Sequence, residues 1–167
     1  MLNQGTLVCQ ARFNVNGNGT LTDNQTGLMW ELKSVAGTGD VHDVSNSYTW
    51  TSTDTAPDGT LYTTFLSTLN SDASVNGAST CFASHCDWRI SNIAELQTIV
   101  ESTASNCAAG SPCIDPAFGP TMRLIYWSSS SLAGDPGAAR GVDFGGGSSA
   151  YDGEFSGHYA RAVRGGR

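Results

Sequence analysis

Apolar side chains are spread along this 167-residue chain and seldom gather into the long stripes of a helical protein. Two stretches carry helical spacing. Tyr62, Phe65, Leu66 and Leu69 predict a short amphipathic helix over about 59–70. The second follows Trp88-Arg89. There Asn92 is a good N-cap, Glu95 completes a capping box, and Ile93, Leu96, Ile99 and Val100 share one apolar face. Elsewhere the pattern shortens to that of strands. Phe13 to Glu31 reads as a hairpin with β-prone Thr20–Asp23 and Gly27–Glu31 and turns at Asn16–Gly19 and Asp23–Gly27. Tyr126–Ser129, Gly141–Phe144 and Tyr159–Arg164 are further candidate strands, with Val142 and Phe144 pointing inward at period two. Residues 33–60 form a polar loop anchored by Trp50 alone, and residues 107–120 form a second loop. The sum is an α+β fold: two short helices, a small antiparallel sheet and a loop-rich second half. Residues 1–12 form an N-terminal arm and 13–167 a single domain, large enough to bury about two-thirds of its unfolded surface.

Composition changes the picture near the C-terminus. From Tyr126 onward, bulky residues (Tyr126, Trp127, Val142, Phe144, Phe155, Tyr159, Val163) alternate with Gly, Ser, Asp, Ala, Tyr and His. All 10 asparagines lie at or before Asn106, although at that rate the rest of the chain should hold roughly 6. A small polar mixture containing Tyr resembles an antibody paratope, in which Tyr supplies contact area and Ser, Gly and Asp adaptable hydrogen bonding. Residues 126–164 therefore read as a displayed binding surface. Inward anchors such as Trp127, Val142 and Phe144 hold its backbone, and outward neighbours are free to change. Tyr151 and His158 are its expected contact anchors.

Charge and cysteine content narrow the classes. The net charge is −7, and Lys33 is the one lysine. Nucleic acids need clustered cations, and here only Arg161, Arg164 and Arg167 come close together; pairing with carboxylates or capping the fold explains them better. No run approaches the ~20 apolar residues of a membrane span. No signal peptide precedes Leu2, which suggests either a trimmed leader or exit from the cell inside an assembled particle. Cys81 with Cys86 and Cys107 with Cys113 each close a short loop, and two local disulfides with Cys9 left over point to an oxidising destination. Zinc held by these four, with His85 nearby, is the competing reading, although structural zinc prefers spacings of roughly two to four residues. Asn14, Asn16, Asn18, Thr22 and Asp23 place oxygens loosely like a calcium loop. Only Asp23 is charged, and a turn held by asparagine side chains explains the same residues.

Five segments then occur in a telling order: GNGTLTDNQTGLMWE, DWRISNIAELQTIV, IDPAF, YWSSSS and YARAVRGG. Together, over residues 13–166, they resemble the family of C-type-lectin-fold domains typified by the C-terminal domain of the Legionella collagen-like adhesin. A subset is more similar still: the variable proteins of diversity-generating retroelements, which end in a like YWSSS…RAVRGG stretch. That resemblance implies randomisation of template adenines, many in AAC codons. The palette it allows includes Leu132, Gly134, Asp135, Gly137, Ala138, Arg140, Gly141, Asp143, Gly145, Gly146, Ser148, Ser149, Tyr151, Asp152, Ser156, Gly157 and His158 as ligand-binding positions. Glu154 lies outside the palette and is expected to be fixed or to come from another codon. Where many relatives have Cys in the terminal motif this chain has Ala162; if that Cys pairs with an N-terminal one, Cys9 is orphaned.

The resemblance implies recognition of a protein or glycan on a target cell, with multivalent display on a virion tail or fibre or on a cell surface. Neither nucleic acid nor membrane insertion is expected. The acidic charge disfavours the sulfated-glycan binding of the adhesin branch. A fixed-specificity surface adhesin is the alternative. Formylglycine-generating enzymes share the fold superfamily, but the cysteines are better read as staples, and no Ser-His-Asp or paired-carboxylate set is visible. His42, His85 and His158 lie in unrelated contexts. Neither Glu-Pro-Asn nor Trp-Asn-Asp occurs, so no lectin-type calcium site, no other metal and no cofactor is expected.

Overall fold

The computed structural model describes residues 11–54, 56–72, 80–103, 107 and 109–165. Strands β1 (Phe13–Val15), β2 (Thr20–Asp23) and β3 (Leu28–Glu31) form an antiparallel meander, with Phe13 opposite Asp23 and Leu21 opposite Trp30. Asparagine side chains brace its first turn. Asn16 Nδ2 donates to Thr20 Oγ1 at 2.9 Å and Thr22 Oγ1 at 3.0 Å, and Thr20 Oγ1 donates to Asn18 Oδ1 at 2.6 Å. Both oxygens of Asp23 accept from Arg12, at 3.1 and 2.9 Å, so its carboxylate pins the start of the domain. Most of the expected arm, including Cys9, lies outside the described residues.

The chain returns to this sheet at two later points. Strand β4 (Arg89–Ile90) and the C-terminal strand β8 (Ala162–Gly165) complete a five-stranded sheet of order β1-β2-β3-β8-β4. Trp30 faces Val163 across β3 and β8. Both expected helices are present. Leu61–Leu66 is wound as a π-helix and runs into α1 (Ser67–Leu69), burying Leu61, Phe65 and Leu69. Helix α2 (Ile93–Thr98) starts with the expected capping box: Asn92 Oδ1 accepts from Glu95 N at 2.8 Å, and Glu95 Oε2 from Asn92 N at 2.9 Å.

The second half is more regular than the sequence reading. Strands β5 (Ile125–Leu132), β6 (Asp135–Asp143) and β7 (Ser148–Gly153) make a three-stranded antiparallel sheet. The expected strand Tyr126–Ser129 lies within β5 and Gly141–Phe144 overlaps the end of β6, whereas β7 falls in a stretch read as loop. Gly, Ser and Asp are weak strand formers, so propensity hides β7 and the rest of β6; pairing and packing decide the outcome. The architecture is thus mixed, with two antiparallel sheets and short helices.

Large side chains of β5 and β6 divide between two apolar clusters. Tyr126, Val142 and Phe144 pack with Leu21, Trp30 and Leu96, while Trp127 and Ala139 pack with Tyr48, Trp50 and Phe65. Disulfides Cys81–Cys86 and Cys107–Cys113 staple two loops, which removes all four thiols from any zinc site. At the end of β3, beside β8, lies a buried ionic group. Glu31 Oε1 is 2.8 Å from both Lys33 Nζ and His42 Nδ1, and Oε2 accepts from Ala162 N at 3.0 Å. Arg161, 1% exposed, donates to the carbonyls of Glu31, Phe118 and Pro120. Arg164 pairs with Asp87 at 2.7 Å, and Arg167 lies outside the described residues. No helix among the described residues is long and apolar enough to cross a membrane.

Candidate functional site

Strand β5 owes its position to side chains that reach neighbours on both sides. Trp127 Nε1 donates to Tyr48 O at 2.8 Å, and Trp50 Nε1 donates to Ser128 O at 2.9 Å. The serine run that follows is structural too. Ser128 Oγ donates to Arg140 O at 2.8 Å, Ser129 N to Ser91 O at 2.8 Å, and Ser130 Oγ accepts from Ile93 N at 3.1 Å. These bonds tie β5 to β6 and to the start of α2.

Directly opposed residues of an antiparallel pair share a face. Tyr126 is opposite Val142, and Trp127 is opposite Gly141. The anchors therefore point to both faces of the sheet, not to one inward face. Period-two alternation sorts side chains between the two apolar clusters here and does not separate core from solvent. What remains exposed is the β7 edge and the two hairpin turns. Strand β7 pairs with β6 alone among the described residues.

Against that frame the expected ligand positions divide three ways. Gly134, Asp135, Gly146, Ser148, Ser149, Tyr151 and Gly157 are exposed, Tyr151 at 65%. Leu132, Gly137, Arg140, Asp143, Gly145, Asp152, Ser156 and His158 are half-buried. Ala138 and Gly141 are buried, so neither presents a side chain to a ligand. A Cβ on Gly141 would lie 2.4 Å from Tyr126 O, and one on Gly145 2.7 Å from Arg123 O; both positions admit only glycine without backbone movement. Phe155, expected as an anchor, is instead 57% exposed.

Several half-buried polar residues do framework work. Asp143 Oδ1 accepts from Gly145 N at 2.7 Å and holds the β6–β7 turn. His158 exchanges backbone hydrogen bonds with Tyr48 at 2.8 and 3.1 Å, and its ring meets Trp127 edge-on at 4.7 Å. Its Nε2 sits 2.8 Å from Asp152 Oδ2, and that contact, with the Gly153 N–H, lowers the Asp152 pKa. His158 is therefore held by the protein, whereas Tyr151 projects freely. The neighbouring Ser149 accepts from Gln97 of α2 and lines a cavity of about 310 Å³ with Val100, Gly147 and Ser148.

A second cavity, of about 420 Å³, opens between the β5–β6 hairpin and the 50–58 loop. Trp50, Asp54, Pro57, Ser131, Pro136 and Glu154 line it. Sequence reasoning placed Trp50 as an anchor and Glu154 outside the variable palette, and missed Asp54, Pro57 and Pro136. The one legible signal was Glu154, the single glutamate in a stretch of small residues.

Comparison with known proteins adds one finding. Residues 19–164 match the family model described as the Lcl C-terminal domain. No curated protein and no solved structure matches the chain.

Proposed function

The chain belongs to the Lcl C-terminal domain family, and we propose that it is an adhesin-like display domain with a C-type lectin-like fold. In this reading a retroelement diversifies its 126–164 region to recognise varied protein or glycan targets on cells. One observation carries it. Within this short region, buried anchors tied down by hydrogen bonds alternate with exposed Asp135, Ser148, Ser149, Tyr151 and Phe155. Exposed residues of that kind tolerate replacement at little cost, commonly within about 0.5 kcal/mol. An edge strand and its turns can therefore be rewritten while the frame stays constant.

Two disulfides fit an extracellular position, on a virion tail or fibre or on a cell surface. A shallow surface of this size gains effective affinity when many copies are displayed together. We assign no catalysis. His42 is engaged with Glu31, His158 with Asp152, and the four described cysteines are in disulfides, so a formylglycine-generating-type mechanism lacks its thiols among them.

Sequencing the DNA that flanks the gene tests diversification. The reading expects a near-copy of codons 126–164, differing only where the copy has adenine, beside a reverse transcriptase. Finding neither would overturn it in favour of an adhesin of fixed specificity, which shares the family and the exposed edge.

A further inference from the structure

The 420 Å³ cavity has an unusual lining for its size. Its walls are apolar where Trp50, Ala56, Pro57 and Pro136 meet it, and acidic where Asp54 and Glu154 do. Asp135 adds a third carboxylate. A Cβ on Gly137 would lie 3.4 Å from Asp54 Oδ1 and 3.7 Å from Asp135 Oδ1, so these two acids flank the same point of β6. The volume falls within the roughly 300–1,000 Å³ of small-ligand sites.

Glu154 is the cavity's most covered acidic residue. The residue is 3% exposed, and its backbone is fixed by three hydrogen bonds. Its N–H donates to Gly137 O at 2.9 Å, and its carbonyl accepts from Trp50 N at 2.9 Å and Thr51 N at 3.1 Å. Its carboxylate, however, has no hydrogen bond or salt bridge among the described residues. Burial, then the nearby charges of Asp54 and Asp135, raise its pKa. The carboxylate is not among the fully buried polar atoms without a partner, so it meets the cavity, where a largely covered acceptor with no protein donor is available to a partner from outside.

That partner is cationic, and its shape can be narrowed. Calcium needs six or more oxygens at roughly 2.3–2.6 Å around one point. Among the described residues, the metal-ligating side chains with atoms all within 4.8 Å of one another are Asp72, Cys81 and Cys86, not these three acids. Spread carboxylates beside an indole and two prolines suit a guanidinium instead. It is planar, carries five donors in a fork, and stacks on aromatic faces while its stem covers apolar surface.

We infer that this cavity is a subsite for an arginine side chain of a protein target, its guanidinium held by Asp54, Asp135 and Glu154 and its stem lying between Trp50 and Pro136. The loop is braced before the ligand arrives. Asp58 accepts from Ser52 N at 2.7 Å, Thr53 Oγ1 at 2.8 Å and Thr51 Oγ1 at 3.1 Å, which fixes the segment that carries Asp54. The net charge of −7 draws a basic partner to this surface. The inference deepens the proposed display function, and takes from it only that the target is a protein.

An NMR titration of the full chain with acetyl-Gly-Arg-Gly-amide tests this, the Trp50 indole N–H signal being the readout. The arginine peptide is expected to shift that signal, and its citrulline counterpart, which lacks the charge, to bind at least about tenfold more weakly. Glu154→Gln is expected to lose a similar factor without a lower Tm, because it also removes like-charge repulsion. Asp135→Asn, at the exposed first residue of β6, provides a second variant that leaves the core untouched. Equal binding of the citrulline peptide, or full binding by both variants, would overturn the inference. So would calcium binding that Glu154→Gln abolishes while the arginine peptide leaves the signal unmoved. None of these outcomes bears on diversification, which stands or falls on the flanking DNA.

Discussion

Glu31 and Glu154 are both buried glutamates, and they hold opposite energetic positions. Glu31 accepts from Lys33, lies against His42 and also takes the Ala162 N–H. Removing its charge leaves Lys33 buried without a counter-ion, and breaking such a pair typically costs about 3–5 kcal/mol. Urea denaturation of Glu31→Gln should show a loss of that order. Glu154 has no such donors, and its pKa is raised above the ordinary 4.5 by burial and by Asp54 and Asp135. A raised carboxyl pKa means the folded state holds its proton longer. Stability is then greatest below pH 4.5 and declines as pH rises through the folded pKa. Glu154→Gln should flatten that decline, and a wild-type decline retained in the variant would contradict the assignment. Asp43 has the reverse sign. Bonds from the Ser45 hydroxyl and N–H, and from the Gly39 and Gly37 N–H groups, hold its pKa far below 3.8. Its contribution is present above pH 3.8 and is lost as pH falls toward the folded pKa. Thermal melts of Asp43→Asn from pH 2 to 7 should show lower stability at neutral pH and a shallower acid limb.

Strands and helices differ in how plainly the sequence announced them. Helix α2 was legible because its signals are local: Asn92, Glu95 and the Ile93–Leu96 spacing lie within one turn of each other. Strand β7, read along the chain as SSAYDG, has no local signal, and its register comes from pairing Arg140 with Tyr151 and Val142 with Ser149 across from it. The anchors of the second sheet were recognised, but not their division between two faces, since that depends on which strand lies opposite. Gly141 and Gly145 looked like variable positions because composition cannot distinguish a glycine that is free from one that is required. Gly141→Ala drives a Cβ to within 2.4 Å of Tyr126 O. It should cost about 1–3 kcal/mol, the range of overpacked sites, whereas Tyr151→Ser should stay within about 0.5 kcal/mol. Paired Cys81→Ser and Cys86→Ser should cost about 2 kcal/mol, the loop-entropy value for so short a crosslink. Chemical denaturation of the three proteins side by side checks all of these.

At the scale of the whole molecule, the N-terminal meander and β8 form a base, and the 126–153 sheet is clamped above it between two apolar clusters. With both faces packed, the β7 edge, the hairpin turns and the Glu154 cavity are among the parts of the sheet open to solvent among the described residues. The composition shift at Tyr126 described residues 126–164 as one continuous face. The structure instead has a three-stranded sheet packed on both faces, with an exposed rim made of the β7 edge and turns. Under the proposed function, this rim can be rewritten while the frame cannot. The most direct measurement uses two libraries of the full chain, one randomised at Asp135, Ser148, Ser149, Tyr151 and Phe155, the other at Ala138, Gly141, Phe144 and Gly145. Both would be sorted for protease resistance and then for binding to several unrelated proteins. The first library should stay folded and yield distinct binders, while the second should be largely lost at the protease step. Equal survival of the two libraries, or a folded first library without binders to any target, would contradict it.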